Sequence, residues 1–206
     1  MRSLFRAQTG NTLESVQFRE HPSNKALTGK TLADHLRAFG QPLTLDAGFE
    51  ALIALQSAGG FTGVFYAMAD ADLDVFLQHP MASISSDGDL VTPGIGFPHP
   101  RSYGAFPRVL ARYVRERHLL TVESAIHKMT GVPAAMIGLP ERGLLREGNF
   151  ADIVVFDADR IADHATYADP HHYSEGVVHL FVNGIAVLTA GLPTHARSGR
   201  PIRRPE

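Results

Sequence analysis

The sequence contains no cysteine among its 206 residues, which excludes disulfide bonds and thiolate metal sites. Its net charge is only −2, and the basic residues do not form the stripe that a nucleic-acid-binding surface needs. The first ten residues lack the apolar core of a secretion signal. No apolar run approaches the roughly 18 residues of a membrane-spanning helix. We therefore expect a soluble, cytoplasmic protein.

The general signatures of catalytic and nucleotide-binding sites are also missing. The chain has no GxxxxGK[ST] phosphate loop, no GxGxxG turn after a strand, no GxSxG nucleophile turn and no HExxH zinc motif. None of its 11 histidines forms a His-x-His pair. The chemistry therefore has to come from less general patterns.

The N-terminal part carries clear local signals for helices. A short strand is predicted at residues 15–18. Thr31 followed by Asp34 has the form of a capping box, and Gly40 supplies a helix stop. A second helix is predicted over residues 45–58, before a Gly-Gly pair.

The next part of the chain alternates strand, helix and strand. Residues 62–68 form a compact apolar run, which is typical of a strand buried on both faces of a parallel sheet. Asp70 then caps a short helix that Pro80 closes, and residues 81–86 predict another strand, which stops at Asp87. Short links of this kind indicate a parallel α/β architecture.

The C-terminal third changes to period-2 strands and tight turns. Before it, a loop rich in Gly and Pro at residues 89–100 leads to two helices, of which the second begins after the N-cap Thr121. From about Arg142, the pattern predicts a strand at residues 152–157 and a hairpin around Asn183-Gly184. Three short strands at the end of an α/β chain predict a small β appendage.

A cluster of histidines near the C-terminus is one candidate metal site. Its members are His164, His171, His172 and His179, with Asp163 and Asp169 nearby. Imidazole and carboxylate groups suit zinc. However, the adjacent His171 and His172 point in different directions in most backbones, and Pro170 introduces a turn. The pattern therefore favours a surface loop.

Asp87 and Arg101 are the strongest candidates for a role in chemistry. A carboxylate at the C-terminal end of a parallel strand lies where α/β barrels place their active sites, and it can serve there as a general base and then a general acid. A simple turn explains Ser-Ser-Asp-Gly equally well. Arg101 can hold a substrate carboxylate through a bidentate pair, although an arginine in a loop is more often a surface residue. Spacing alone leaves both alternatives open.

Several longer segments resemble one known family when they are taken together. They are SDG at 86–88, HPRSYGAFPRVL at 99–110, YVRE at 113–116, KMT at 128–130, PA at 133–134, RG at 142–143, GNFADIVVFD at 148–157, DHAT at 163–166 and VNG at 182–184. The set is similar to the D-aminoacylase (N-acyl-D-amino-acid deacylase) branch of the amidohydrolases. The resemblance is densest from about residue 60 to 205 and looser back to about residue 15. The Gly-x-x-Ala-Asp segment alone is shared widely across the superfamily.

The resemblance implies an α/β fold: the C-terminal part of a (β/α)8 barrel over residues 1–141, followed by strands of a small β-sandwich over residues 142–206. It also implies zinc-dependent hydrolysis of the amide bond of N-acyl-D-amino acids. In that scheme Asp87 is the catalytic aspartate, which handles the proton of the attacking water and is also allowed to contact the metal. Arg101 holds the substrate α-carboxylate. Met68 lines the side-chain pocket, although a core methionine explains that position equally well.

The family's His-x-His pair and its later metal-binding histidines have no counterpart in this sequence. We therefore expect an incomplete zinc site and no activity from the chain alone. A truncated product or fragment is the favoured explanation, ahead of a split enzyme with a complementary chain that carries the N-terminal barrel half, and ahead of a non-catalytic binding module. Hydantoinase, dihydroorotase and dipeptidase chemistries are rivals within the superfamily, but the segment from His99 to Leu110 favours the D-aminoacylase branch.

Overall fold

The computed structural model describes residues 12–203. These residues form two compact units. The described part of the first unit comprises residues 12–70, 89–99 and 167–171, and that of the second comprises residues 71–88, 100–166 and 172–203. Within this described part, no helix is both long and apolar enough to cross a bilayer.

The helices of the first unit begin and end where local chemistry predicts. Helix α1 spans Leu32–Ala38 and helix α2 spans Leu45–Ser57. Thr31 Oγ1 accepts the backbone N–H of Asp34 at 3.1 Å, and the Asp34 carboxylate accepts the N–H of Thr31 at 3.0 Å. The predicted capping box is therefore confirmed. The hydrogen bond from the Thr31 backbone also lowers the pKa of Asp34.

The two strands of the first unit correct the predicted parallel arrangement. Strand β1 spans Val16–Glu20 and strand β2 spans Thr62–Phe65, and the two pair in antiparallel register with Gln17 opposite Val64. Strand β2 is partly exposed along its length, so the prediction of a strand buried on both faces was wrong. A parallel strand is buried when helices cover both faces of its sheet. Here the only strand paired with β2 among the described residues is the antiparallel β1.

The core of the first unit joins β1 to α1 and α2. Its buried members are Leu13, Val16, Phe18, Leu27, Leu32, Ala33, Leu36, Ala51 and Leu55. Phe18 is fully buried and meets the ring of Phe61 edge-on, with centroids 5.3 Å apart. This arrangement is a favourable one for aromatic pairs. The predicted strand at residues 15–18 therefore supplies the centre of this core.

The second unit contains most of the remaining helices. They are α3 (Asp70–Gln78, whose first residue belongs to the first unit), α4 (Arg101–Arg108), α5 (Val122–Met129) and α6 (Gly131–Met136). A π-helical segment, Val109–Glu116, continues α4. Thr121 Oγ1 accepts the N–H of Ser124 at 3.2 Å, which confirms the predicted N-cap. The core of this unit consists of Val109, Leu110, Leu120, Ala125 and Ile161.

Residues 81–86 do not form the predicted strand. Instead, the N–H of Ile84 donates to the backbone carbonyl of Lys128 at 2.9 Å. The buried Lys128 ammonium donates to the carbonyl oxygens of His79 at 2.5 Å and Ala82 at 3.2 Å. The prediction of a strand from the apolar pattern was therefore wrong. The pattern could not reveal that a lysine and a helix end, rather than a neighbouring strand, satisfy part of the backbone of this segment.

A four-stranded antiparallel sheet follows the helices of the second unit. Its strands are β3 (Ile153–Phe156), β4 (Val177–Val182), β5 (Ile185–Thr189) and β6 (Leu192–Pro193), hydrogen-bonded in the order β3-β4-β5-β6. Asn183 and Gly184 have φ values of 51° and 80°, as a tight hairpin turn requires. The predicted hairpin is confirmed, and β6 adds a strand that the sequence pattern did not indicate.

Candidate functional site

Asp87 lies at the end of the irregular segment that begins after helix α3. Its φ of 46° places it in the left-handed region, which aspartate tolerates better than most residues. Gly88 follows, and its N–H donates to Ser86 Oγ at 3.3 Å. A Cβ on Gly88 would lie 3.1 Å from the Cα of Ser102 and 3.2 Å from the carbonyl oxygen of Arg101. The glycine therefore allows this turn to lie directly on the first turn of helix α4.

This backbone contact brings Asp87 and Arg101 together. Arg101 Nη2 lies 2.7 Å from Asp87 Oδ2, and the side chains are 39% and 78% exposed. The two residues are fourteen positions apart, so the pair depends on the packing of Gly88 against α4. An exposed pair of this kind contributes about 0.2–1 kcal/mol to stability. Both side chains are in contact with solvent.

Met68 follows strand β2 in the first unit, whereas Asp87 and Arg101 belong to the second unit. Its side chain is 69% exposed. The alternative of a core methionine is therefore wrong for this structure. A position with an exposed apolar side chain is compatible with a pocket lining, which remains a prediction.

The C-terminal histidines do not form a cluster of metal ligands. Among residues 12–203, no three His, Asp or Glu side chains converge as a metal site requires. His164 Nε2 instead lies 3.2 Å from Glu175 Oε1. His171 Nδ1 accepts the N–H of Gly94, and its Nε2 lies 3.1 Å from the carbonyl oxygen of Gly96. The side chains present therefore do not make up a zinc site within the described part of the chain.

The widely shared Gly-x-x-Ala-Asp segment has a structural role here. Asp152 Oδ1 accepts the N–H of Asn183 at 2.8 Å, and its Oδ2 accepts a hydrogen bond from Arg142 Nη1. Arg142 Nη2 also donates to Asn183 Oδ1 at 2.8 Å, and the guanidinium lies 4.2 Å from the centroid of the Phe150 ring. This triad of Arg142, Asp152 and Asn183 links strand β3 to the hairpin turn. These contacts give Asp152 a role in folding.

Helix α4 makes a second contact, with Asp163, that the sequence did not predict. Asp163 forms an ion pair with Arg108, with Nη1 2.8 Å from Oδ2, and the Asp163 side chain is only 13% exposed. The backbone of Gly104 lies against the same aspartate. Arg108 and Asp163 each belong to a segment that carries the family resemblance. No spacing rule could have paired them, because 55 positions separate Arg108 from Asp163.

Comparison with known proteins identifies the family. Residues 16–187 match the Amidohydrolase family. The chain belongs to this family. Over 157 residues it is 43% identical to the N-acyl-D-glutamate deacylase of Alcaligenes xylosoxydans xylosoxydans, an alignment that covers 76% of this chain and 31% of the relative. The resemblance to the D-aminoacylase branch is thereby confirmed.

Solved structures of amidohydrolases agree with this assignment. The chain superposes on a D-aminoacylase that has a binuclear metal centre. The TM-score is 0.83 and the identity 31%, over 97% of this chain and 39% of that one. It also superposes on the N-acyl-D-glutamate deacylase from Bordetella bronchiseptica, complexed with zinc and a phosphonate inhibitor, with a TM-score of 0.78 and 32% identity. That match covers 97% of this chain and 39% of the other. The α/β character of the prediction is therefore confirmed, and the chain spans roughly a third of the curated relative named above.

Proposed function

We propose that this chain is the C-terminal portion of a zinc-dependent amidohydrolase that hydrolyses the amide bond of N-acyl-D-amino acids. The observation that carries the proposal is the pairing of Asp87 with Arg101 at 2.7 Å. Besides its metal, such a reaction needs a carboxylate that transfers the proton and a cation that binds the carboxylate of the substrate. The match to a relative named as an N-acyl-D-glutamate deacylase supports the substrate class.

Asp87 is the group that moves the proton in this scheme. Its carboxylate accepts a proton from the water whose oxygen attacks the amide carbonyl carbon. It then returns that proton to the nitrogen as the C–N bond breaks. The products are a carboxylate and a free D-amino acid. Because the Asp87 side chain is largely exposed, a substrate can reach it directly.

Arg101 is the group that holds the substrate α-carboxylate. A guanidinium binds a carboxylate through two parallel hydrogen bonds, and Arg101 already lies beside one carboxylate, that of Asp87. The substrate therefore replaces one anionic partner by another. We also propose that Met68 lines the pocket for the substrate side chain.

The described residues do not make up a zinc site. We assign to this chain the proton transfer and the carboxylate binding, and we assign zinc binding to the N-terminal barrel half that carries the family's His-x-His pair, either as the missing part of a truncated enzyme or as a complementary polypeptide. Under this division, residues 1–141 complete a barrel with that half and residues 142–206 contribute strands to a β-sandwich. Strand β3 supports this division. Among the described residues it lies at one edge of its sheet, and its residues Val154 and Val155 are 52% and 44% exposed.

The test measures zinc content and hydrolysis of N-acetyl-D-glutamate by the chain alone and after mixing with the complementary polypeptide. We expect activity only in the mixture, and only with the D enantiomer. Asp87→Asn should abolish that activity, whereas the matched Asp159→Asn, an exposed residue, should leave it unchanged. Stoichiometric zinc and hydrolysis by the chain alone, or activity that survives Asp87→Asn, would contradict the proposal.

A further inference from the structure

Helix α4, which begins with Arg101, has a break in its middle. Gly104 has φ −138° and ψ 16°, which is not helical. A Cβ on Gly104 would lie 2.6 Å from the Cβ of Asp163 and 3.4 Å from its Cα. Real Cβ atoms essentially never approach so closely. The missing side chain therefore lets the helix backbone rest on Asp163.

The same aspartate holds the end of the helix through its charge. Arg108 Nη1 lies 2.8 Å from Asp163 Oδ2. Burial by itself would lower the pKa of Arg108, but the hydrogen bond and the charge of Asp163, together with Tyr113, raise the pKa above its ordinary value. Asp163 thus contacts helix α4 at two points four residues apart, once through van der Waals contact and once through an ion pair.

The segment that carries Asp163 is itself fixed to the next part of the helix. Arg115 Nη1 donates to the carbonyl oxygens of Ala158 at 3.0 Å and Ile161 at 2.8 Å. Ile161 is 2% exposed and belongs to the core of the second unit. The position of Asp163 is therefore restrained, because Ile161, two residues before it, is buried and hydrogen-bonded to Arg115.

These contacts set the start of the helix as well as its middle. Arg101 lies three residues before Gly104, and Gly88 rests on the backbone of Arg101 and Ser102. A shift of the helix at Gly104 therefore moves Arg101, and with it the turn that holds Asp87. The path from Asp163 to the candidate site runs from its Cβ to the backbone of Gly104, along helix α4 to Arg101, and from the Arg101 backbone to Gly88.

We propose that Asp163 is a positioning residue that sets helix α4 so that Arg101 can receive the carboxylate of a substrate. The inference rests on the proposed function for the role of Arg101. It adds a residue that touches neither substrate nor reacting atoms and acts through Gly104 and Arg108.

The experiment perturbs the contact from both sides in the purified chain. Asp163→Asn removes the charge that holds Arg108, and Gly104→Ala places a methyl group against Asp163. The matched controls are Asp74→Asn, whose carboxylate pairs with an arginine at 2.5 Å elsewhere in the second unit, and Gly199→Ala, where a Cβ meets nothing within 4 Å.

Two readouts by NMR separate positioning from a general loss of structure. The first is the backbone amide shifts of Asp87 and Gly88. The second is the ratio of the dissociation constants of N-acetyl-D-glutamate and its α-carboxamide, which measures the preference for the carboxylate. We expect both Asp163→Asn and Gly104→Ala to move these amides and to reduce the preference at least fivefold. The two control variants should leave both readouts unchanged.

The outcomes distinguish this inference from the proposed function. If Arg101→Met removes the carboxylate preference but Asp163→Asn and Gly104→Ala change neither readout, the positioning role is wrong and the role of Arg101 stands. If Arg101→Met leaves the preference intact, the proposed role of Arg101 is wrong. If the control variants move the amides of Asp87 and Gly88 as far as the test variants do, the effect is general destabilisation and the inference is overturned. Combining Asp163→Asn with Gly104→Ala should change the preference by less than the product of the single effects, because both act on one contact.

Discussion

Replacement of Asp152 by alanine tests whether the widely shared Gly-x-x-Ala-Asp segment serves folding or chemistry. In this structure the carboxylate accepts hydrogen bonds from the N–H of Asn183 and from Arg142. Alanine removes both interactions. It leaves Arg142 with the side chain of Asn183 and the Phe150 ring as partners. We therefore expect a loss of stability in the second unit and no specific loss of catalytic chemistry.

The size of the loss follows from the two interactions. A hydrogen bond from a backbone N–H to a charged carboxylate contributes roughly 1.5–3 kcal/mol. The Asp152 side chain is 37% exposed, so its ion pair with Arg142 is screened by water and adds only about 0.2–1 kcal/mol. Relaxation of the turn and water that replaces the carboxylate reduce the sum. We expect Asp152→Ala to lower the free energy of unfolding by about 2 kcal/mol.

Urea unfolding followed by circular dichroism measures this loss, and hydrogen exchange of the β4–β5 amides locates it. Asp159, an exposed aspartate three residues after the end of strand β3, provides the matched control. Asp159→Ala should change stability by less than about 0.5 kcal/mol. A double-mutant cycle with Arg142→Met should show a coupling energy of about 1 kcal/mol, because the two side chains share one network. Unchanged stability together with lost hydrolysis in the complemented enzyme would refute the structural role.

Two further perturbations test the packing of each unit. Burial, with a smaller contribution from His21, lowers the pKa of His35 below 6.5, so the unfolded chain binds the proton more readily. Stability of the first unit should therefore be full above pH 6.5 and fall as the pH decreases below it. A His35→Asn variant that kept the same dependence in urea unfolding at pH 7.5 and 5.5 would contradict this. Gly176→Ala places a Cβ 2.4 Å from the Cα of Ile161 at a φ of +88°. It should lower the free energy of unfolding by about 2 kcal/mol or more, as measured by thermal unfolding. Gly191→Ala, with a similar φ of +78° but no atom nearer than 3.9 Å, should cost clearly less, and equal losses would show that close packing at Gly176 is unimportant.

Local signals in the sequence predicted several elements correctly. The capping box of Thr31 and Asp34, the N-cap Thr121 and the Asn183-Gly184 turn each involve residues a few positions apart. Their geometry is determined by backbone hydrogen bonds within that short span. The antiparallel pairing of β1 with β2 was not predictable in this way. Its partners are more than 40 residues apart, and an apolar run has the same appearance in either type of sheet.

The sequence by itself determined the family, because many short segments must match at once, and it singled out Asp87 and Arg101 as separate candidates. Only the tertiary structure brought them together, since their pairing depends on Gly88 resting on the backbone of helix α4. Likewise, only the structure assigned Asp152 to the hairpin and Asp163 to helix α4. A carboxylate has the same appearance in a sequence whatever its role, and it acquires one when folding places a particular donor within hydrogen-bonding distance.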